Sequence, residues 1–267
     1  MIIFRDFFML SKSKISFINS LKIKKYRDIH QQFIAEGSKL VMELLRSSYV
    51  IKEVYATAPW IKESDQSIVP GTLPVYEIGD WEMAKITCLS SPSPVFALVE
   101  IPNPRKSMRD PGSDLVLILD DIRDPGNMGT IIRIADWFGI ETVICSENTV
   151  DLYNPKVVQA TMGSIARVTV IYENLELFLQ QLSDKIPVYG TFLGGENIYG
   201  KNLDNKGVLI IGNEAYGISR EIEKYVTERL FIPSFCSFES EDHKPDSLNA
   251  SVATAVVCSE FRRRIIR

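Results

Sequence analysis

The residues with the greatest chemical potential lie in one short stretch, LDDIRDPGNMGTIIRIADWFG, which spans Leu119 to Gly139. An apolar run, LVLIL, leads into two aspartates, a Pro-Gly-Asn-Met-Gly loop and a helical pattern that contains Arg133. Many proteins hold a nucleotide with a strand, a glycine-bearing loop and a helix in this order. The stretch carries neither G-x-G-x-x-G nor G-x-x-x-x-G-K-[ST], which excludes the two common phosphate-binding loops.

The spacing predicts a helix over residues 127–138. Its apolar residues recur at helical spacing and form the predicted core face: Ile131, Ile134, Ala135 and Phe138. Arg133 is turned by about 200° from Ile131 and therefore points away from that face. Such an arginine is either an ordinary surface residue or a ligand contact, because this end of the helix follows a strand. Asn127 is predicted to cap the first turn.

A second loop, VLIIGNEAYGIS at residues 208–219, also follows an apolar strand pattern. Gly212 and Gly217 allow the backbone to turn sharply and to approach a ligand closely. Glu214 comes directly after the strand. Its carboxylate could serve a ligand site, or it could cap a neighbouring backbone N–H.

A third stretch begins with Ile232 and Pro233 and resumes at SLNASVATAVVCSEFRRR. Ser247 is the predicted N-cap of this helix, and Asn249 is either a site residue or a loop amide with local partners. The predicted apolar stripe comprises Leu248, Val252, Ala255 and Val256. Small residues between them permit close packing against a backbone or a ligand.

The composition indicates an ordinary globular chain with 267 residues, 45% of them apolar and 24% charged. A net charge of −4 does not by itself indicate a nucleic-acid protein, although basic residues cluster near the N-terminus and at the C-terminus. Four dispersed cysteines and two histidines suggest reduced thiols, a cytoplasmic location and no metal site. No stretch is apolar enough for a signal peptide or a membrane span.

Prolines and charges concentrate between Ile101 and Asp114, so we predict a linker over residues 101–113. Residues 1–14 are interpreted as an extension, and a start at Met9 would make residues 1–8 dispensable. Residues 15–100 alternate helix and strand patterns and predict a small α/β domain. Residues 114–267 alternate nearly apolar strands with helices, which predicts a parallel sheet covered on both faces.

Taken together, DDIRDPGNMGTIIRIADWFG, IIGNEAYGIS and IP…SLNASVATAVVCSE resemble, in this order, the three motifs of the SpoU (TrmH-like) RNA methyltransferases of the SPOUT superfamily. The resemblance spans about residues 114–267. The first domain resembles the substrate-binding domain that many of these enzymes carry, with KKYRDIHQQFIAEGSKLV as its opening helix.

The resemblance implies an α/β catalytic domain with a C-terminal trefoil knot, and a homodimer with its active site near the subunit interface. It implies transfer of the methyl group of S-adenosylmethionine to a ribose 2′-hydroxyl of RNA, without a metal. The residues that match cofactor-binding positions are Thr191, Phe192, Leu193, Gly194, Gly212, Asn213, Glu214, Ile232, Ser247, Leu248, Asn249 and Ser251.

By the same resemblance, Arg133 matches the catalytic arginine, and Asn127, Glu214 and Asn249 match positions that order its pocket. An arginine is a poor general base because its pKa is too high, so we expect it to hold an RNA phosphate. The residues expected to contact RNA are Lys22, Lys25, Arg27, Arg123 and Arg133.

The segment 234–246 is an acidic insertion where many relatives have a tighter connection, and it is either a surface insertion or part of a cofactor lid. Ribosomal RNA is favoured over transfer RNA because the two-domain layout resembles ribosomal-RNA enzymes. One alternative is a non-catalytic RNA-binding relative that acts in ribosome assembly. Another is a dinucleotide-dependent oxidoreductase, which the missing glycine fingerprint disfavours.

Overall fold

The structure is a computed structural model that describes residues 4–5, 9–103, 109–235 and 247–263. The chain forms two compact units. One unit comprises Met1–Pro104 with Asp151–Arg167, and the other comprises Arg105–Val150 with Val168–Arg267. Parts of the predicted extension and linker, and most of the segment 234–246, lie outside the described residues.

The first unit is built on a five-stranded mixed sheet. Its strands are β1 (Phe4–Arg5), β2 (Gln32–Glu36), β3 (Ile51–Ala56), β4 (Val75–Glu77) and β5 (Val95–Glu100), in the order β1-β4-β3-β5-β2. β4 is parallel to β1 and β3, whereas β5 is antiparallel to β3 and β2. Its helices are α1 (Lys12–Ser20), α2 (Lys24–His30), α3 (Ser38–Leu45), α4 (Ala58–Glu63), α5 (Asp80–Ile86) and α7 (Pro155–Thr161).

The single opening helix expected over residues 24–41 is wrong. Gln31 adopts a left-handed conformation with φ of 50° and ends α2, and Gly37, with φ of 104°, separates β2 from α3. Residues 32–36 pair with β5 as a buried strand, because the apolar run there is too short to continue a helical face.

Residues 151–167, expected to belong to the catalytic domain, instead pack with the first unit. The carboxylate of Asp151 pairs with the buried guanidinium of Arg27, and Tyr153 packs on Phe33 with ring centroids 4.8 Å apart. Sequence patterns predict the helix in this segment but not the sheet on which it packs.

The second unit contains the predicted parallel sheet, here of seven strands. These are β6 (Leu115–Leu119), β7 (Thr142–Cys145), β8 (Thr169–Tyr172), β9 (Val188–Phe192), β10 (Glu196–Asn197), β11 (Gly207–Ile211) and β12 (Glu228–Phe231). Their order is β10-β12-β9-β11-β6-β7-β8, and every neighbouring pair is parallel. All residues of the central strands β6 and β11 are buried, as expected for a sheet covered on both faces.

The helices of this unit are α6 (Pro125–Trp137), α8 (Leu175–Gln180), α9 (Arg220–Glu223) and α10 (Ala250–Arg263). α10 packs on α6, and Arg262 donates to the carbonyl of Phe138 at 2.8 Å at the far end of both helices. The predicted stripe of α10 is wrong, because Leu248 and Val252 are about half exposed. The buried face consists mostly of smaller residues, which allow α10 to approach α6 closely: Ala250, Ser251, Thr254, Val257, Cys258, Glu260 and Phe261.

Candidate active site

A cavity of about 490 Å³ opens where β9, β11 and β12 end and α10 begins. The carboxyl ends of parallel strands meet at one edge of a sheet, where ligands of α/β proteins bind. The lining residues that were predicted to hold a cofactor are Thr191, Phe192, Leu193, Gly194, Gly212, Asn213, Glu214, Ile232, Ser247 and Leu248. Asn249 and Ser251 do not line the cavity, although Leu248 and Ala250 beside them do.

The loop that follows β11 forms one wall of this cavity and is held by its own backbone. Asn213 and Gly217 exchange two backbone hydrogen bonds of 3.0 and 2.8 Å, and Gly217 has φ of 71°. A Cβ atom on Gly212 would lie 2.3 Å from the backbone of Gly217 and Ile218. Glycine is therefore required at residue 212 by this close approach of two backbone segments.

Asn213 ties this loop to the loop after β6. Its Nδ2 donates to the backbone oxygen of Asp121 at 2.8 Å, while its Oδ1 accepts from the N–H groups of Ala215 and Tyr216. Asp121 has φ of 59°, which is unusual for a residue other than glycine and indicates local strain. The side chain of Asn213 thus orders both loops.

Three predicted site residues from three separate motifs form one hydrogen-bonded chain. Asn249 donates from Nδ2 to Oδ1 of Asn127 at 2.8 Å, and Asn127 donates from its own Nδ2 to Oε1 of Glu214. Glu214 lines the cavity, so this chain connects the cavity wall to the first turns of α6 and α10.

The N-caps predicted for α6 and α10 are wrong. The observed caps explain how Asn127 comes to bond with Glu214 and Asn249. Asp124 caps α6 by accepting from the N–H of Asn127 at 2.8 Å, and Pro125 occupies the first turn. Asn249, rather than Ser247, accepts from the N–H groups of Ser251 and Val252 at the start of α10. Asn127 is consequently not needed as a cap, and its side-chain amide is available to Glu214 and Asn249.

Two charged residues that line the cavity, Arg229 and Glu223, are not predicted from the sequence. The guanidinium of Arg229 lies 3.6 Å from the ring centroid of Phe192 and pairs with Glu223 at 2.5 Å. No motif signals them, because Arg229 lies within a strand and Glu223 in a short helix. The only available signal was the position of Arg229 three residues before Ile232.

Arg133 lies on the exposed side of α6, as its helical position predicts. It makes no hydrogen bond or ion pair with the residues that the structure describes, and it does not line the cavity. Arg123 is also exposed, and its Nε pairs with Asp121 at 2.9 Å. The hydrogen bond and the charge of Asp121 raise the pKa of Arg123.

Of the basic residues predicted for RNA in the first unit, Lys25 is exposed and Lys22 donates to the carbonyl of Thr87 at 2.8 Å. Arg27 contradicts its predicted role, because its side chain is only 2% exposed. Its guanidinium donates to the carbonyl of Leu21 at 2.8 Å and pairs with Asp151 at 2.6 Å. Arg27 is therefore a structural residue that anchors α2.

No group of three or more potential metal ligands occurs among the described residues, and in that part of the chain no helix is long and apolar enough to span a membrane. Cys258 is buried at the packed face of α10, and this burial raises the pKa of its thiol to about 12. The thiol is thus protonated at neutral pH, which makes it a packing residue and not a nucleophile.

Comparison with known families tests the resemblance. A family model described as the SpoU rRNA Methylase family matches residues 114–259, more than half of the chain. The chain belongs to the SpoU rRNA methylase family. A second model, described as the MRM3-like substrate binding domain, matches residues 12–97. This combination confirms the expected order of a substrate-binding domain followed by a SpoU methylase domain.

Full-length relatives support the same assignment of this SpoU protein. It is 28% identical over 255 residues to the 23S rRNA (guanosine(2553)-2′-O)-methyltransferase RlmP of Bacillus subtilis, with 93% of this chain and 96% of the relative covered. A putative TrmH-family RNA methyltransferase structure from Porphyromonas gingivalis is 38% identical with a TM-score of 0.82, covering 96% of this chain and 100% of the other. The AdoMet-bound rRNA methyltransferase from Sinorhizobium meliloti is 29% identical with a TM-score of 0.82, covering 97% of each chain.

Proposed function

We propose that this protein transfers the methyl group of S-adenosylmethionine to a ribose 2′-hydroxyl of ribosomal RNA. The observation that carries the proposal is the hydrogen-bonded chain Glu214–Asn127–Asn249, which joins all three motifs beside the cavity. The Bacillus subtilis relative is named as a 23S rRNA ribose methyltransferase, and it aligns over nearly its whole length.

The cavity fits S-adenosylmethionine in size and chemistry. Its volume of about 490 Å³ lies in the range typical of small-molecule sites. Apolar lining residues Ile211, Ile218 and Leu230 suit an adenosine moiety, and Thr191 and Ser247 add polar side chains to the lining. When bound, the cofactor supplies a methyl group activated by a positively charged sulfur.

The residues of this protein then have to position the acceptor ribose and allow the proton of its 2′-hydroxyl to leave. Arginine side chains in general remain protonated in proteins, so the group that removes the proton of the 2′-hydroxyl is not Arg133 itself. Its guanidinium instead holds an RNA phosphate bidentately and stabilises the negative charge that develops on the ribose oxygen. The bound phosphate, or another group near it, accepts the proton. The Asn127–Glu214 pair keeps the pocket wall rigid, so that the two reactants meet in line.

The proposal includes a homodimer and a trefoil knot at the C-terminal end, which follow from the resemblance, and a cytoplasmic location, which follows from the four dispersed cysteines. Exposed apolar residues support a contact between copies, since Leu248 and Val252 lie about half exposed at the start of α10. RNA recognition by the first unit is supported by the match to a substrate-binding domain and by exposed Lys25. Role assignments for the individual site residues belong to this proposal.

Incubation with radiolabelled S-adenosylmethionine and RNA lacking modifications, separated into ribosomal and transfer fractions, tests the proposal. We expect label in ribosomal RNA that nuclease digestion locates to a 2′-O-methyl nucleotide. Label only in transfer RNA would contradict the substrate class. Absence of both label and cofactor binding, in a folded preparation, would favour the non-catalytic RNA-binding alternative.

A further inference from the structure

Tyr216 is a large exposed side chain at the mouth of the cavity. It lines the cavity wall and is 83% exposed, and its hydroxyl has no hydrogen-bond partner among the described residues. Its neighbours Ala215 and Gly217 are small, and the phenol is the only aromatic side chain on this turn. Nothing in the described fold accounts for an aromatic side chain here.

The backbone that carries Tyr216 is nevertheless firmly held. The N–H of Tyr216 donates to Oδ1 of Asn213 at 3.3 Å, and the Asn213–Gly217 backbone pair closes the turn on either side. An exposed aromatic ring on an ordered turn can contact a flat partner at little conformational cost, because its backbone is already fixed.

A cation lies on the loop to which this turn is hydrogen-bonded. Asn213 donates to the backbone oxygen of Asp121 at 2.8 Å, which joins the turn to the loop that carries Arg123. The side chain of Arg123 is 66% exposed, and its pairing with Asp121 uses Nε.

An aromatic ring and an exposed guanidinium on two joined loops form a combination that binds unpaired nucleotides, since the ring stacks on a base and the cation contacts a phosphate. We propose that Tyr216 is a stacking platform for a nucleobase of the RNA at or next to the acceptor ribose, and that Arg123 holds the adjoining phosphate. This inference rests on the proposed function and adds a residue that positions the acceptor.

Two other occupants of this surface are distinguishable from RNA. The ring could cover the cofactor, or it could contact a second copy of the chain. Arg123 on the joined loop favours RNA, because an exposed cation is better matched by a phosphate than by the apolar interface of two identical copies.

The test compares Tyr216→Phe, Tyr216→Leu and Tyr216→Ala with Tyr199→Ala, a matched control at a tyrosine that is 47% exposed in the same unit and does not line the cavity. The measurements are the RNA KM for methyl transfer, the Kd of S-adenosylmethionine by calorimetry and the mass in solution. We expect the Leu and Ala variants to raise the RNA KM about tenfold or more, because stacking is lost. The Tyr216→Phe and Tyr199→Ala variants should keep an RNA KM near that of the wild type. All four variants should keep the cofactor Kd and the mass in solution of the wild type.

Equal KM values for the Leu and Phe variants would overturn the stacking role. If the Leu and Ala variants also bind S-adenosylmethionine with a higher Kd, the ring covers the cofactor. If their mass in solution falls below that of the wild type, the ring contacts a second copy of the chain. A wild-type protein that methylates no RNA would refute the proposed function itself, before any Tyr216 variant is compared.

Discussion

Asn249 donates from Nδ2 to Oδ1 of Asn127 at 2.8 Å, although 122 residues separate them in the chain. The bond joins the starts of α6 and α10 and is continued by the bond from Asn127 to Glu214. Since an amide can donate and accept at once, Asn127 bonds to Asn249 at the start of α10 and to Glu214 in the cavity wall. The position of α10 therefore affects the position of Glu214.

Replacement of Asn249 by alanine removes both this bond and the cap of α10. We expect a loss of about 1–2 kcal/mol in the free energy of unfolding and a lower kcat for methyl transfer. Urea unfolding and a steady-state methylation assay measure the two effects. Ser259→Ala, at an exposed serine of the same helix, is the control. A stable Asn249→Ala protein with wild-type kcat would contradict the positioning role.

Replacement of Arg133 by alanine should lower kcat on the order of 100- to 1000-fold, because a cation that stabilises developing charge is lost. The Kd of S-adenosylmethionine and the midpoint of unfolding should not change, since Arg133 does not line the cavity and has no partner among the described residues. Arg220→Ala, at another exposed arginine of the second unit, serves as the control. Unchanged transfer by the Arg133 variant would refute its assigned role.

Replacement of Arg27 by alanine should destabilise the protein by about 3–5 kcal/mol, because the carboxylate of Asp151, with a side chain only 18% exposed, loses its partner. Lys25→Ala, in the same helix, should change stability by less than about 0.5 kcal/mol and should weaken RNA binding. Chemical denaturation measures the stability of the two variants, and RNA titration measures their affinity for RNA. Together they distinguish the role of Arg27 from that of Lys25. An Arg27 variant with wild-type stability but weaker RNA binding would restore the original prediction for Arg27.

Replacement of Gly212 by alanine should disrupt the turn after β11, since the added Cβ would lie 2.3 Å from backbone atoms that cannot move independently. We expect a loss of about 3 kcal/mol or more in stability and of cofactor binding. Gly200→Ala is the matched control, because its nearest neighbour would be a backbone oxygen at 3.9 Å. Calorimetric titration with S-adenosylmethionine measures the effect on binding. A wild-type affinity of the Gly212→Ala variant would contradict the close packing of this turn.

Much of the fold follows from local patterns. The apolar runs that became β6, β9 and β11 are short, are bounded by polar turns and alternate with helices, so a parallel sheet was predictable. Part of the cavity wall lies where β9 and β11 end, but the residues expected to hold the cofactor came from the resemblance, and Arg229 and Glu223 were not predicted. The helix boundaries were less predictable, since Asp124 and Asn127, or Ser247 and Asn249, are equally good capping residue types.

The sequence by itself determined the two domain types, the three motifs and the exposed side of α6 on which Arg133 lies, because each depends on residues that are close in the chain. Only the tertiary structure decided that Arg27 is buried against Asp151, that Arg229 lies on Phe192 and that Asn127 bonds to Asn249. These are contacts between distant segments. Their energies depend on burial and on the distance between two groups, and neither quantity exists until the chain has folded.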